Sequence, residues 1–256
     1  MTESVILPTR RDEAWRYSDT GALAGIDLGR FEHWEDVDVP AGETVRRCVI
    51  IADADGPNDA TELRRLRVRV ADGARCELFV VVSSGRLGRV EVVALLGDGA
   101  HLELGGVTIG GRDTTREIVS RVAHEQPNGT SNQVVRAVHW GRGTGNFLGR
   151  IDVASGAQKT DAAQSFRGLI LERGASVNAV PQLEIFADDV KCAHGATVGQ
   201  LDEQARFYMA ARGLPPEVAR RLLVQAFVAD AFVALDDEDE RERLMRVVLD
   251  KLDRHL

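Results

Sequence analysis

Two corners of this 256-residue chain repeat each other: Asp72-Gly73-Ala74-Arg75-Cys76-Glu77-Leu78 and Asp98-Gly99-Ala100-His101-Leu102-Glu103-Leu104, offset by 26 residues (73 to 99). A third, Arg173-Gly174-Ala175-Ser176-Val177, lies 75 residues further on (99 to 174), close to three more steps of that size. A fixed step of about 20–50 residues marks a solenoid, in which each coil is a supersecondary unit whose apolar face is buried only by its neighbours. Around these corners, residues 45 to 198 form a succession of short β-like runs. They are Arg46 to Ile51, Cys76 to Val82, Val90 to Leu96, Leu102 to Ile109, Glu117 to Ala123, Gln133 to His139, Asn146 to Val153, Phe166 to Leu171 and Val177 to Phe186. Clusters of Gly, Asp, Asn and Ser separate them, and no helix of ordinary length interrupts them. The pattern suits a parallel β-helix. It suits equally a β-sandwich with hairpin turns at Asn128-Gly129 and Gly141 to Gly145, and pattern alone leaves both open.

Composition narrows the function classes. At 44% hydrophobic and 5% aromatic, the chain has enough apolar residues for a sizeable core. No run approaches the roughly eighteen apolar residues of a membrane span, and Met1 to Arg11 has no apolar segment of signal-peptide type, so a cytoplasmic protein without a membrane partner is expected. The net charge of −8, with no Lys/Arg patch interleaved with aromatics, argues against a nucleic-acid partner. Cys48, Cys76 and Cys192 are an odd number at wide spacing, which fits neither a disulfide framework nor a self-contained metal site.

Three zones succeed one another: an N-terminal arm (1–44), a β-rich core (45–198) and a C-terminal α-helical domain (199–256). The arm carries Arg11-Asp12-Glu13-Ala14-Trp15-Arg16-Tyr17-Ser18, whose aromatics are too sparse for a core of their own and must pack on the β-rich zone. Asp202 is a good N-cap for a helix running to Arg212, where Gly213 supplies the left-handed end position. Pro216 suits the first turn of a second helix, on which Val218, Leu222, Ala226, Ala229 and Val233 form an apolar stripe widened by Leu223 and Phe227. A third helix, roughly Glu240 to Leu252, comes after the acidic run Asp236 to Glu240, which suits the positive end of a helix dipole.

Self-sufficient catalytic signatures are missing: there is no Walker A loop, Gly-x-Gly-x-x-Gly, His-Glu-x-x-His or Gly-x-Ser-x-Gly. His101, His124 and His139 fall in different β runs, where strand histidines are more often packed residues than ligands. His194 differs. It lies in Pro181-Gln182-Leu183-Glu184-Ile185-Phe186-Ala187-Asp188-Asp189-Val190-Lys191-Cys192-Ala193-His194-Gly195-Ala196-Thr197-Val198-Gly199-Gln200-Leu201-Asp202, and reads as a turn residue beside Gly195, just before strand gives way to helix.

This string closely resembles the signature of the SufB/SufD family, the scaffold subunits of the Suf iron–sulfur cluster assembly machinery, and within it the SufD branch. The Lys191-Cys192-Ala193-His194-Gly195-Ala196-Thr197 element is similar to the family's Lys-x-x-His-Gly-Ala-Thr. Glu13, Trp15, Arg16, Tyr17 and Ser18 match its N-terminal element. The SufB branch carries a cysteine near the position of Ala175, and no cysteine occurs between Cys76 and Cys192. The resemblance implies a right-handed parallel β-helix with C-terminal helices. It also implies a non-catalytic role: pairing with a SufB-like paralogue, with homodimers when alone, and binding a SufC-like ABC ATPase that supplies the nucleotide chemistry. His194 is then a candidate ligand shared at the SufB contact for a transient iron–sulfur cluster, with Cys192 a weaker candidate and no cofactor held stably by the chain alone. One imidazole contributed across an interface to thiolate-held iron gives a labile site. The ATPase-binding region would comprise Arg206, Phe207, Tyr208, Arg212, Gly213, Arg220, Arg221 and Phe227, with Arg220 and Arg221 read as outward charges. The same helices read, without a partner, as a cap sealing the last β-coil. Two other classes remain: a β-helix lyase or hydrolase using Asp188 and Asp189, although neighbours in a strand point to opposite faces, and a homo-oligomeric binding module without a metal role.

Overall fold

The computed structural model describes residues 6–52 and 60–255. Its strands are β1 (Glu35–Val39), β2 (Thr44–Ile51), β3 (Thr61–Val70), β4 (Arg75–Val82), β5 (Leu87–Leu96), β6 (His101–Gly110), β7 (Thr115–His124), β8 (Thr130–His139), β9 (Thr144–Val153), β10 (Asp161–Ile170), β11 (Ser176–Ile185) and β12 (Lys191–Gly199). They sort by parity into two six-stranded sheets, β1-β3-β5-β7-β9-β11 and β12-β10-β8-β6-β4-β2, and every pairing among the described residues is parallel. Successive strands therefore alternate between sheets and the chain winds as a β-solenoid. The coil step varies from 26 residues (Val70 paired with Leu96) to 32 residues (Val153 paired with Ile185). The sandwich is excluded: Asn128-Gly129 and Gly141 to Gly145 lie at corners between the two sheets and do not join antiparallel neighbours.

The corners explain the sequence repeat and correct its third member. At the first five of the six turns from the odd sheet to the even one a residue adopts positive φ: Gly42, Gly73, Gly99, Asn128 and Lys159. These corners stack, with the N–H of Gly42, Gly73, Gly99, Asn128 and Lys159 donating to the carbonyls of Asp72, Asp98, Pro127, Gln158 and Asp189. Glycine meets the left-handed requirement without strain, and Asn is the next most tolerant residue. Gly174 belongs elsewhere: it turns the chain from even sheet to odd, with Gly85 and Gly141, so the true third copy of the Gly73/Gly99 corner is at Asn128. The expected runs also omitted β1, β3 and β12. In β3 the inward Leu66, Val68 and Val70 alternate with Arg65, Arg67 and Arg69, a period of two that itself marks a strand and that the expected runs left out; β1 lies inside the segment read as an arm.

Inside the solenoid, Leu66, Val68, Leu78, Val80, Val90, Val92, Leu102, Leu104, Ile118, Val135, Phe147 and Phe166 form one continuous core. Both lateral faces are covered. On the odd sheet the arm lays Trp15, Leu23 and Phe31 against Leu87. Trp15 stacks 3.8 Å from the buried Arg89 guanidinium, which pairs with Glu117 at 2.6 Å, and Ser18 donates to the same carboxylate at 3.0 Å.

After the short α-helix of the arm, α1 (Leu28–Glu32), come α2 (Glu203–Ala211), α3 (Pro216–Ala229) and α4 (Glu238–Asp253); α3 and α4 lie on the even sheet and α2 packs on α3. Asp202 caps α2 as expected, accepting from the Gln204 and Ala205 amides, and Gly213 ends it at φ 83°. These helices do not cap the last coil. Val224, Val228, Ala231, Phe232, Leu244, Val248 and Leu252 pack sideways on Phe79, Val81, Val107, Ile109, Val138 and Leu169, which is why β4 and β6 are apolar on both faces. Contact is close enough that a methyl group at Gly105 would sit 2.1 Å from the Ala231 carbonyl oxygen. The stripe expected on the second helix is displaced as well: Val218, Leu222 and Val233 are exposed, and Ala219, Val224 and Val228 are buried. α3 is apolar around much of its circumference, so the sheet it meets chooses which stripe is buried.

Candidate functional site

The two ends of the solenoid differ. In the first coil the inward Val37, Val39, Val49 and Ile51 are buried. In the last coil β11 is half-buried, β12 is exposed along most of its length, and Ile185, Phe186 (67% exposed) and Val198 reach solvent. Both strands end their sheets, so each offers an unpaired main-chain edge among the described residues. Long edges of this kind, here with one charge apiece (Glu184 on β11, Lys191 on β12), are templates for strand pairing.

His194 sits in the middle of β12. The turn expected for it is corrected: Gly195 continues the strand to Gly199, and the inner-face row decides where the imidazole stands. Register places Ala162 beside Cys192, Gln164 beside His194 and Phe166 beside Ala196, and Ala162, Gln164 and Phe166 are all buried in the solenoid interior. Cys192 and His194 therefore share the inward face of the last strand, two residues apart, at the open end. Cys192 packs with Ile151, Val153, Ala157 and Ala162, and this burial pushes its thiol pKa up, keeping it protonated and a poor ligand until metal or base removes the proton. His194 itself is exposed, so the approach to it is open. Among the described residues no three His, Cys, Asp or Glu side chains converge to hold a metal ion. One imidazole and one thiol are what this end presents.

The other residues singled out from sequence separate into two sets. Phe207 (77% exposed) and Tyr208 (61%) stand out from α2, a helix with no buried residue, and Arg212 lies 5.2 Å over the Tyr208 ring. Arg206 pairs with Glu203 on its own helix. Arg220 and Arg221 are engaged at the helix surface: half-buried Arg220 reaches His255 at 3.3 Å and Glu172 at 4.0 Å, and Arg221 makes an exposed pair with Asp253 at 2.7 Å. Phe227 packs partly into the helix–sheet interface. Exposed apolar side chains thus include Phe207 and Tyr208 on α2 and Val218 and Leu222 on the adjacent α3, the latter two from the stripe expected on that helix. Asp188 and Asp189 occupy the corner between β11 and β12, engaged by Gln158 and Lys159. His101, His124 and His139 stay apart, bonded to Thr130, Ser131 and Thr108.

Residues 43–227 match the family described as SUF system FeS cluster assembly, SufBD core domain. The chain belongs to the SufBD core family. This SufBD chain is 35% identical over 178 residues to Protein ABCI7, chloroplastic, of Arabidopsis thaliana, a match covering 69% of the chain and 38% of that relative. It is 32% identical over 151 residues (59% of the chain, 36% of the relative) to the iron-sulfur cluster assembly protein SufD of Escherichia coli. Against SufD of Bacillus subtilis it is 30% identical over 154 residues (60% and 35%). The matches thus span little more than a third of these relatives' lengths. No helix among the described residues is long and apolar enough to cross a membrane.

Proposed function

We propose that this SufBD chain is a non-catalytic scaffold subunit of a Suf complex, acting in the cytoplasm. Its open solenoid end joins a SufB-like paralogue, and its C-terminal helices dock a SufC-like ABC ATPase. The observation that carries this reading is the placement of His194 on the inward face of an unpaired edge strand. A second solenoid added to that edge would bury the imidazole between two chains, where the partner's thiolates complete a site for nascent iron–sulfur cargo. Cys192 is the weaker donor, because its thiol must first lose a proton.

His194→Ala is the test. His194 is exposed, so the substitution costs under about 0.5 kcal/mol and the complex assembles. Reconstituted with SufB-like and SufC-like partners, iron and sulfide, the variant complex is expected to lose most of its cluster. Full loading would sink the reading. The isolated chain should use the same edge to pair with a second copy, because an uncovered strand end favours self-association. Light scattering at micromolar concentration is expected to give a dimer, and a clean monomer would remove that part.

A further inference from the structure

We infer that Gln164 is a positioning residue for His194; the inference rests on the ligand reading of His194 proposed above. Gln164 sits on β10, directly beside His194 on the inner-face row. It is 3% exposed, and its Oε1 has no hydrogen-bond partner. Its Nε2 donates to the carbonyls of Gly149 at 3.3 Å and Gln182 at 3.4 Å, so the donor side of the amide is occupied and the acceptor side is free. The row is polar for three coils: Gln133 on β8, Gln164 on β10 and His194 on β12. In the next row along the strands Val135, Phe166 and Ala196 are all apolar. Gln133 has its Oε1 satisfied by Ser120 at 2.6 Å, while its Nε2 lacks an acceptor.

A buried carbonyl oxygen without a donor forfeits the hydrogen bonds it made to water in the unfolded chain. Of its neighbours on that row, the exposed His194 lies one backbone strand spacing, about 4.8 Å, away. Rotation of the His194 ring brings one N–H to Gln164 Oε1, and the carbonyl's second lone pair remains available to Gln133 Nε2. The bond fixes the tautomer, so the other ring nitrogen keeps its lone pair for a ligand at the open end. Carbonyl partners of this kind orient metal-binding imidazoles, and removing them typically costs about 10–100-fold in metal affinity.

The experiment uses the full chain without metal. Long-range proton–nitrogen NMR reads the tautomer of neutral His194 directly. In the wild-type chain a single tautomer is expected. In Gln164→Met, which keeps length and removes the acceptor, two exchanging tautomers are expected while amide signals elsewhere stay unchanged. A mixture in the wild type, or one unchanged tautomer in Gln164→Met, overturns the inference. Should Gln164→Met fail to fold, Gln164→Glu decides: a charged acceptor should move the His194 N–H proton signal downfield, and an unmoved signal is equally fatal. These readouts involve no cluster, so they stand or fall separately from the loading test on His194→Ala. If both hold, Gln164→Met should weaken cluster loading in the complex about 10–100-fold.

Discussion

Unfolding of this chain is expected to become steeply easier between about pH 6.5 and pH 4, driven by two histidines sealed inside the solenoid. His124 and His139 are 1% and 0% exposed. Burial pushes the His124 ring down to about 4; burial, aided by the nearby Arg116 charge, pushes His139 to about 3. Both rings are neutral in the folded state across this window, and both bind a proton in the unfolded chain once pH falls below about 6.5. The unfolded state therefore holds two more protons, and stability falls by up to about 2.7 kcal/mol per pH unit. By about pH 3 the loss amounts to about 3 kcal/mol from His124 and about 4 from His139, against a total of about 5–15 kcal/mol for ordinary domains. Urea midpoints measured across the window check this. His139→Gln should halve the slope, and a flat profile from pH 6.5 to about pH 4 would show that the rings are not held neutral.

Much of the solenoid was legible because its physics is local and repeated. Gly73 and Gly99 must each adopt positive φ at the same kind of corner, and a glycine in a fixed setting is visible in sequence. Asn128 and Lys159 meet the same demand with side chains, so the repeat fades there, and Gly174 imitates it from the opposite corner. Strand alternation was present even in β3, where Arg65, Arg67 and Arg69 alternate with Leu66, Val68 and Val70, although that run was not among the expected strands. The helices were legible from their caps, since Asp202, Gly213 and Pro216 act on their own turns. Their docking was not, because it depends on Phe79, Val107 and Val138, far away in sequence.

The site divides in the same way. His194 stood out by motif, but its position in an edge strand emerges only when β12 pairs with β10, a contact spanning thirty residues from Gln164 to His194 (164 to 194). Gln164 carried no signal, since a glutamine between Asp161 and Arg167 in a mixed polar run has no spacing to advertise it. The open end itself is a negative feature: it exists because α3 and α4 dock on β4, β6 and β8 and leave β11 and β12 uncovered.

That sideways docking also redirects the search for the ATPase contact. Reversing Arg220 and Arg221 would break ties to Glu172, His255 and Asp253 that hold the helices to each other and to the corner after β10, so lost binding there would be confounded with loosened helices. Phe207 and Leu222 offer a cleaner probe, because both side chains are exposed and α2 buries none of its residues. An apolar anchor entering a partner's pocket commonly contributes at least about 2 kcal/mol, roughly a 30-fold change in affinity. The double variant Phe207→Asp, Leu222→Asp should therefore bind a SufC-like ATPase at least about 30-fold more weakly by calorimetry. Its thermal midpoint should stay close to wild type, since surface changes fall within about 0.5 kcal/mol. Arg221→Glu should do the reverse, lowering the midpoint through the lost Asp253 pair while leaving affinity nearly intact. Wild-type affinity in the double variant would move the ATPase to another face of the molecule.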